Sequence, residues 1–150
     1  MALFEAGGDV QDVEDAWFFL HSLFELIWDY RFLYRDLNDL LSRNRHLETH
    51  FKHILERKTA ALRHLLESMA HAERLNIDAQ TVETLSASMA VVVTYWLSYE
   101  YVRDPRHAME EQSAGLALAR GARHVLSLLT PYLTDTSQRL HLQELTAAYQ

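Results

Sequence analysis

Histidine is the side chain best placed to do chemistry in this sequence: nine copies occur in 150 residues, and there is no cysteine. His46, His50, His53, His64 and His71 fall near one line of a helix that carries leucines on its other side. His46, His50 and His53 repeat at i, i+4 and i+7, a spacing that could present imidazoles to zinc or another transition metal. The face is nonetheless the one expected in water, opposite the apolar stripe. Neither Glu-x-x-His, the signature of di-iron bundles, nor His-Glu-x-x-His occurs. The five histidines therefore read as a solvated polar face, with no metal and no cofactor expected. A His-rich metal-binding bundle stands as the last of the alternatives.

Covalent catalysis has even less support. Gly-x-Ser-x-Gly, a glycine-rich phosphate loop and Cys/His pairs are all absent. No catalytic residue is assigned, and an enzyme is not expected.

The aromatic residues are more informative. Residues 17–34, WFFLHSLFELIWDYRFLY, hold eight of the sixteen aromatics. A helix apolar on nearly every side must be covered all round or must line a chamber. Phe24, Trp28 and Phe32 follow at four-residue steps, and Thr94, Tyr95, Trp96 and Tyr99 form a second cluster that carries hydroxyls. Apolar walls with a few polar groups are the usual composition of a small-molecule pocket between bundle helices. His21 and Glu25 lie among the apolar residues and could orient a ligand. The expected ligand set is therefore His21, Phe24, Glu25, Trp28, Phe32, Thr94, Tyr95, Trp96 and Tyr99. The bland alternative is that these rings are core.

These side chains must be positioned by helices. Only four glycines and two prolines occur, and the long segments have helical periodicity. The expectation is an all-α antiparallel bundle of about six helices. Residues 1–8 read as a tail and residues 9–150 as one domain, which at this size needs no disulfide or metal to fold. The first helix is capped by Asp9 or Asp12 and runs to about Asp29. A second helix or bent continuation carries Leu33, Leu37, Leu40 and Leu41. The third spans about Arg45–Leu75, with Leu47, Phe51, Ile54, Leu55, Leu62, Leu65, Leu66 and Met69 in one stripe. The fourth runs from Asp78 as N-cap to about Arg103, where Asp104-Pro105 ends it. The fifth covers about Glu110–Leu129, and a last short helix reaches about Tyr149.

Two of these helices need more cover than one chain supplies. The fourth shows one apolar face at Val82, Leu85, Met89, Val92, Trp96 and Tyr99, and another at Ala87, Val91, Tyr95, Ser98 and Val102. The fifth places Gly115, Ala119 and Ala122 beside Leu118, Val125, Leu126 and Leu129, and small residues of this kind allow close helix approach. Packing within the chain is one reading. The sharper one is a homodimer seam of Val91, Tyr95, Gly115, Leu118, Ala119, Ala122, Val125, Leu126 and Leu129.

Bulk charge narrows the partners. The net charge is −7, from 14 basic and 21 acidic residues. With no Lys/Arg cluster, this chain by itself is not expected to bind nucleic acid well. The N-terminus lacks a secretory pattern, and no apolar run approaches the ~20 residues of a membrane span. A soluble, cytoplasmic protein without membrane contact is the expectation.

Three blocks carry a family likeness: FELIWDYRFLYRDLNDLLSRNRHLETHFKHILERK, MAVVVTYWLSYEYVRDPR and ARGARHVLSLLTPYL. Together they resemble the C-terminal domain of TetR-family transcriptional regulators, over about Ala16 to Tyr149. The Tyr95-Trp96-Leu97 and Asp104-Pro105-Arg106 pieces make the likeness fairly specific. The resemblance implies an all-helical homodimer whose cavity binds a small, often apolar effector. It also implies a seam built as a four-helix bundle from two late helices of each subunit. Family members reach DNA through an N-terminal helix-turn-helix of roughly 45–50 residues. Only about eight residues precede the first helix here, so DNA contact is expected only through a head this chain lacks. The alternative is a headless subunit that pairs with a full-length regulator.

Overall fold

A computed structural model describes residues 9–147 of the chain. The expected tail over 1–8 and the end of the last helix, to Tyr149, lie outside the described residues. Among the described residues seven α-helices follow one another: α1 Val13–Asp29, α2 Arg31–Arg35, α3 Leu37–Arg43, α4 Arg45–His71, α5 Ala79–Arg103, α6 Glu111–Ser127 and α7 Thr136–Thr146. A 3-10 turn, Thr130–Tyr132, separates the last two. No strand is formed among the described residues, and the only extended pairing is an isolated antiparallel bridge between Leu75 and Leu133.

Side-chain caps set most of the starts. Asp12 Oδ1 accepts from the Asp15 N–H at 2.9 Å, Asn44 from Leu47 at 3.1 Å, Asp78 from Thr81 at 2.7 Å and Asp135 from Gln138 at 2.7 Å. Each satisfies one of the N–H groups that a helix N-terminus leaves without a partner. Helix α4 stops at His71, four residues short of the expected Leu75. Glu73 adopts a left-handed φ of 64°. The Arg74 N–H then turns back to the Met69 carbonyl at 2.8 Å, and that of Glu73 to Ala70 at 3.0 Å. This is the reversed hydrogen bonding of a Schellman end, built without glycine.

The segment after α1 is two short helices rather than one. The backbone leaves helical geometry at Tyr30 and again at Asp36. These two corners bend the chain so that Tyr34 and Leu37 turn inward and become buried.

The core is formed by α1, α4, α5 and α6. Leu20, Leu23 and Phe24 of α1, Leu62, Leu65, Leu66 and Met69 of α4, Met89, Val93 and Leu97 of α5, and Ala122, Val125 and Leu126 of α6 are all fully buried. Burying a side chain of this kind contributes about 1.5–3 kcal/mol, so these layers supply the main drive for folding. Helix α6 packs most extensively against α1, and α4 against α5. Helix α7 is fastened at the start of α1, where the Val13 N–H donates to Gln138 Oε1 at 3.0 Å.

Most of the small-residue stripe expected at a seam turns inward in the protomer. Leu118, Ala119, Ala122, Val125, Leu126 and Leu129 are buried inside the chain's own core. Helix α6 packs chiefly against α1 and also against α5, which accounts for this burial in the protomer. Gly115, Val91 and Tyr95 do remain on the surface.

Candidate effector cavity

A cavity of about 450 Å³ opens between α1, α2 and the N-terminal half of α4. Leu23, Leu26 and Ile27 come from α1, Tyr30 from the corner, and Leu33 and Tyr34 from α2. Leu47, His50, Phe51, His53, Ile54, Arg57 and Lys58 of α4 complete the wall. Its volume lies within the range of about 300–1,000 Å³ typical of small-molecule sites, and its lining is mainly apolar. Tyr34 and Phe51 meet edge to face at the wall, with ring centroids 5.5 Å apart.

Lys58 is the unusual member. Its side chain is 1% exposed. Its Nζ donates to Tyr34 Oη at 3.1 Å and to Thr94 Oγ1 at 3.3 Å. The ammonium also lies 4.8 Å from the Tyr34 ring centroid and 5.5 Å from that of Phe51. An ammonium has three N–H donors, so one is left over, and no carboxylate of the described residues pairs with it. Burial drives its pKa down from 10.5 to about 8, and burial also pushes the Tyr34 phenol up to about 12.

The sequence signal for Lys58 was present. The α4 stripe runs Phe51, Ile54, Leu55, then Leu62 and Leu65, and position 58 falls in its gap at helical spacing. A lysine there reads as a long side chain bridging to solvent. Only the fold shows that α2 and α5 close over it.

The expected ligand residues are scattered by the fold, and none of the nine lines this cavity. Thr94 comes nearest, as the acceptor that holds Lys58 from behind. Phe24 and Trp96 are core, meeting at α6, where Trp96 Nε1 donates to the Ala117 carbonyl at 2.8 Å. Trp28 is buried beneath the Arg31 guanidinium, which sits 4.7 Å from its ring centroid and donates to the Met109 carbonyl at 3.1 Å. Phe32 is exposed under Arg31 and Arg35. His21 and Glu25 pair with each other at 3.3 Å on the surface of α1. Tyr99 stacks on Trp96 at 5.2 Å but faces outward, as does Tyr95, whose hydroxyl donates to Asn38 Oδ1 at 3.3 Å.

The five α4 histidines are all exposed, and His50 and His53 reach the rim of the cavity. Among the described residues no group of three metal-ligating side chains converges. A second hollow, of about 340 Å³, lies between the end of α5 and α6 and is strongly polar. Its buried Glu100 is held by Arg120 at 3.0 Å, with Arg103 at 4.0 Å, which makes it an ion-paired joint between the two helices.

One face of α5 is left open to solvent by the described residues. Ala87, Val91, Tyr95, Tyr99 and Val102 are exposed along it, at helical spacing and without a charged residue. Leu116 and Gly115 of α6 continue the surface beside it.

The described residues thus form an all-helical unit with an apolar cavity and an uncharged helix face open to solvent. A family model, "TetR: Bacterial transcriptional repressor", matches residues 1–140, and the chain belongs to the TetR family. It is also similar to a solved TetR-family transcriptional regulator from Marinobacter aquaeolei VT8. The two share 26% identity with a TM-score of 0.77, over 99% of this chain and 71% of that one. No curated protein matches the chain. Members of this family regulate transcription and are not enzymes. No helix among the described residues is long and apolar enough to cross a membrane.

Proposed function

We propose that these residues form the effector-sensing and dimerising part of a TetR-like regulator, with the effector bound between α1, α2 and α4. The observation that carries this reading is the apolar cavity at Leu23, Ile27, Phe51 and Ile54. Its outer wall is the less anchored half of α4. That helix is about 40 Å long at 1.5 Å per residue. Its second half is fixed by Leu62, Leu65, Leu66 and Met69, all fully buried. In residues 45–57 only Phe51 is buried. A ligand entering beside Phe51 would therefore tilt the first half of α4 against a rigid second half.

Such a tilt transmits a signal only if the ligand prefers one of two states, since equal affinity for both shifts nothing. In the family the signal ends at the spacing of two DNA-reading heads, which requires a dimer. The uncharged α5 face of Val91, Tyr95, Tyr99 and Val102, with Gly115 and Leu116, is the surface for it. This keeps Val91, Tyr95 and Gly115 from the expected seam and replaces the buried α6 residues with the outer stripe of α5. The partner is a second copy of the chain, and the effector is small and largely apolar.

The test uses native mass spectrometry and thermal melts with a panel of apolar compounds on wild type and Ile54→Trp. The expected result is a wild-type dimer whose melting temperature rises with a ligand, while Ile54→Trp stays dimeric but no longer responds. A monomer at every concentration sinks the dimer reading. A ligand response untouched by Ile54→Trp sinks the cavity reading.

A further inference from the structure

The cavity has a charge character opposite to that of the chain. The whole sequence carries a net charge of −7. Yet the lining residues include Lys58, Arg57, His50 and His53 and not one aspartate or glutamate. Lys58 lies deepest, its ammonium buried, while His50 and His53 are exposed at the rim. A buried ammonium without a counter-ion is costly, and an anion that reaches it offsets that cost. Tyr34 Oη and Thr94 Oγ1 hold Nζ from two sides and leave its third N–H unused. Leu23, Ile27, Phe51 and Ile54 meanwhile offer only apolar surface.

We infer that the cavity takes a hydrophobic carboxylic acid, its carboxylate paired with Lys58 and its apolar body lying against Leu23, Ile27, Phe51 and Ile54. This rests on the reading of the cavity as the effector site and adds the chemical class of the effector. A neutral apolar ligand would leave the ammonium buried and unpaired. A cationic one would meet the like charge of Lys58.

Decanoate is the probe, with 1-decanol as the neutral control and decylamine as the cationic one. Calorimetric titrations at pH 7 use wild type, Lys58→Met and Ile54→Trp. Wild type is expected to bind decanoate about tenfold or more tightly than decanol, the ordinary gain from a hydrogen bond to a charged group. Lys58→Met should keep decanol binding and lose the preference. Ile54→Trp should lose both ligands. Equal affinity for decanoate and decanol in wild type, or a preference that survives Lys58→Met, overturns the carboxylate inference while the cavity reading stands. No binding of any probe, or Ile54→Trp binding like wild type, overturns both.

A pH series on wild type serves even if Lys58→Met does not fold. The decanoate carboxylate is ionised throughout pH 7–10. Of the groups facing Lys58, the Tyr34 phenol keeps its proton to about 12, and Arg57, His50 and His53 of the same helix line the cavity beside it. The decanoate preference is expected to fade between pH 7 and pH 10 as Lys58 discharges. A preference unchanged at pH 10 overturns the inference.

Discussion

Gly121 lies so close beneath Trp96 that a Cβ placed on it would come within 2.8 Å of the indole Cδ1, and within 2.9 Å of Phe24 Cζ. The missing side chain is what lets α6 approach α1 and α5 together. Gly121→Ala must therefore displace two buried rings. Overpacking of this kind costs about 1–3 kcal/mol and exceeds the gain in helix propensity, which is at most ~1 kcal/mol. The net expectation is a loss of about 1–2 kcal/mol in urea unfolding. Gly115 has nothing within 4 Å of the same position, so Gly115→Ala should stabilise the protomer by roughly 0.5–1 kcal/mol. A neutral or stabilising Gly121→Ala would show that Trp96 and Phe24 can move aside.

Lys58 should leave a mark on the pH dependence of stability. Folded, it releases its proton near pH 8, and unfolded at the ordinary 10.5. Between these values the unfolded chain binds more protons, so stability rises with pH, by about 3 kcal/mol in all. Tyr34 acts in the other sense. Its folded pKa of about 12 lies above the ordinary 10.0, so its contribution is lost as pH climbs past 10. Urea midpoints should climb from pH 8 to about pH 10 and then fall. Lys58→Met should remove the climb and keep the fall, and a climb that persists in the variant would mean Lys58 is solvated.

The outer stripe of α5 predicts a specific dependence of assembly on charge. Val91 is 59% exposed and Val102 79%, an apolar surface without evident use in a lone protomer. Two carboxylates introduced by Val91→Glu with Tyr95→Glu would be desolvated on pairing with a second copy. Sedimentation should show a monomer whose helical content is that of wild type and whose cavity still binds ligand. A dimer that survives the double change would place the seam elsewhere.

Within the aromatic run, two substitutions separate core from surface. Trp28→Ala removes a buried ring that supports Arg31 and should cost about 3–5 kcal/mol. Phe32→Ala removes a ring that is 53% exposed and should cost less than about 1 kcal/mol. Calorimetric melts decide it, and equal losses would mean Phe32 is covered in solution by another molecule.

Much of the secondary structure is legible from local chemistry. Helix starts at Asp12, Asn44, Asp78 and Asp135 follow from side chains that can cap within their own turn. The stop at Arg103 follows from the proline two residues on. The helical class follows from apolar periodicity and the shortage of glycine and proline. The two unassigned faces of α5 were visible as well, because a helix apolar on both sides must meet something on both. These features depend on neighbours within a few positions, so the chain states them directly.

What the tertiary structure decided is which apolar face meets which. Both readings of the aromatic cluster, chamber or core, have the same sequence, because a ring against another ring and a ring against a ligand need the same side chain. Packing sent Phe24, Trp28 and Trp96 to the core and left the cavity to Leu23, Ile27, Phe51 and Ile54. It also turned the small residues of α6 inward, since Gly121 and Ala122 are what let α1 come close. Lys58 shows the same division. Its place in the apolar stripe was written in the sequence. Its burial needed Tyr34 from 24 residues upstream and Thr94 from 36 residues downstream, brought together only when α2 and α5 closed around α4.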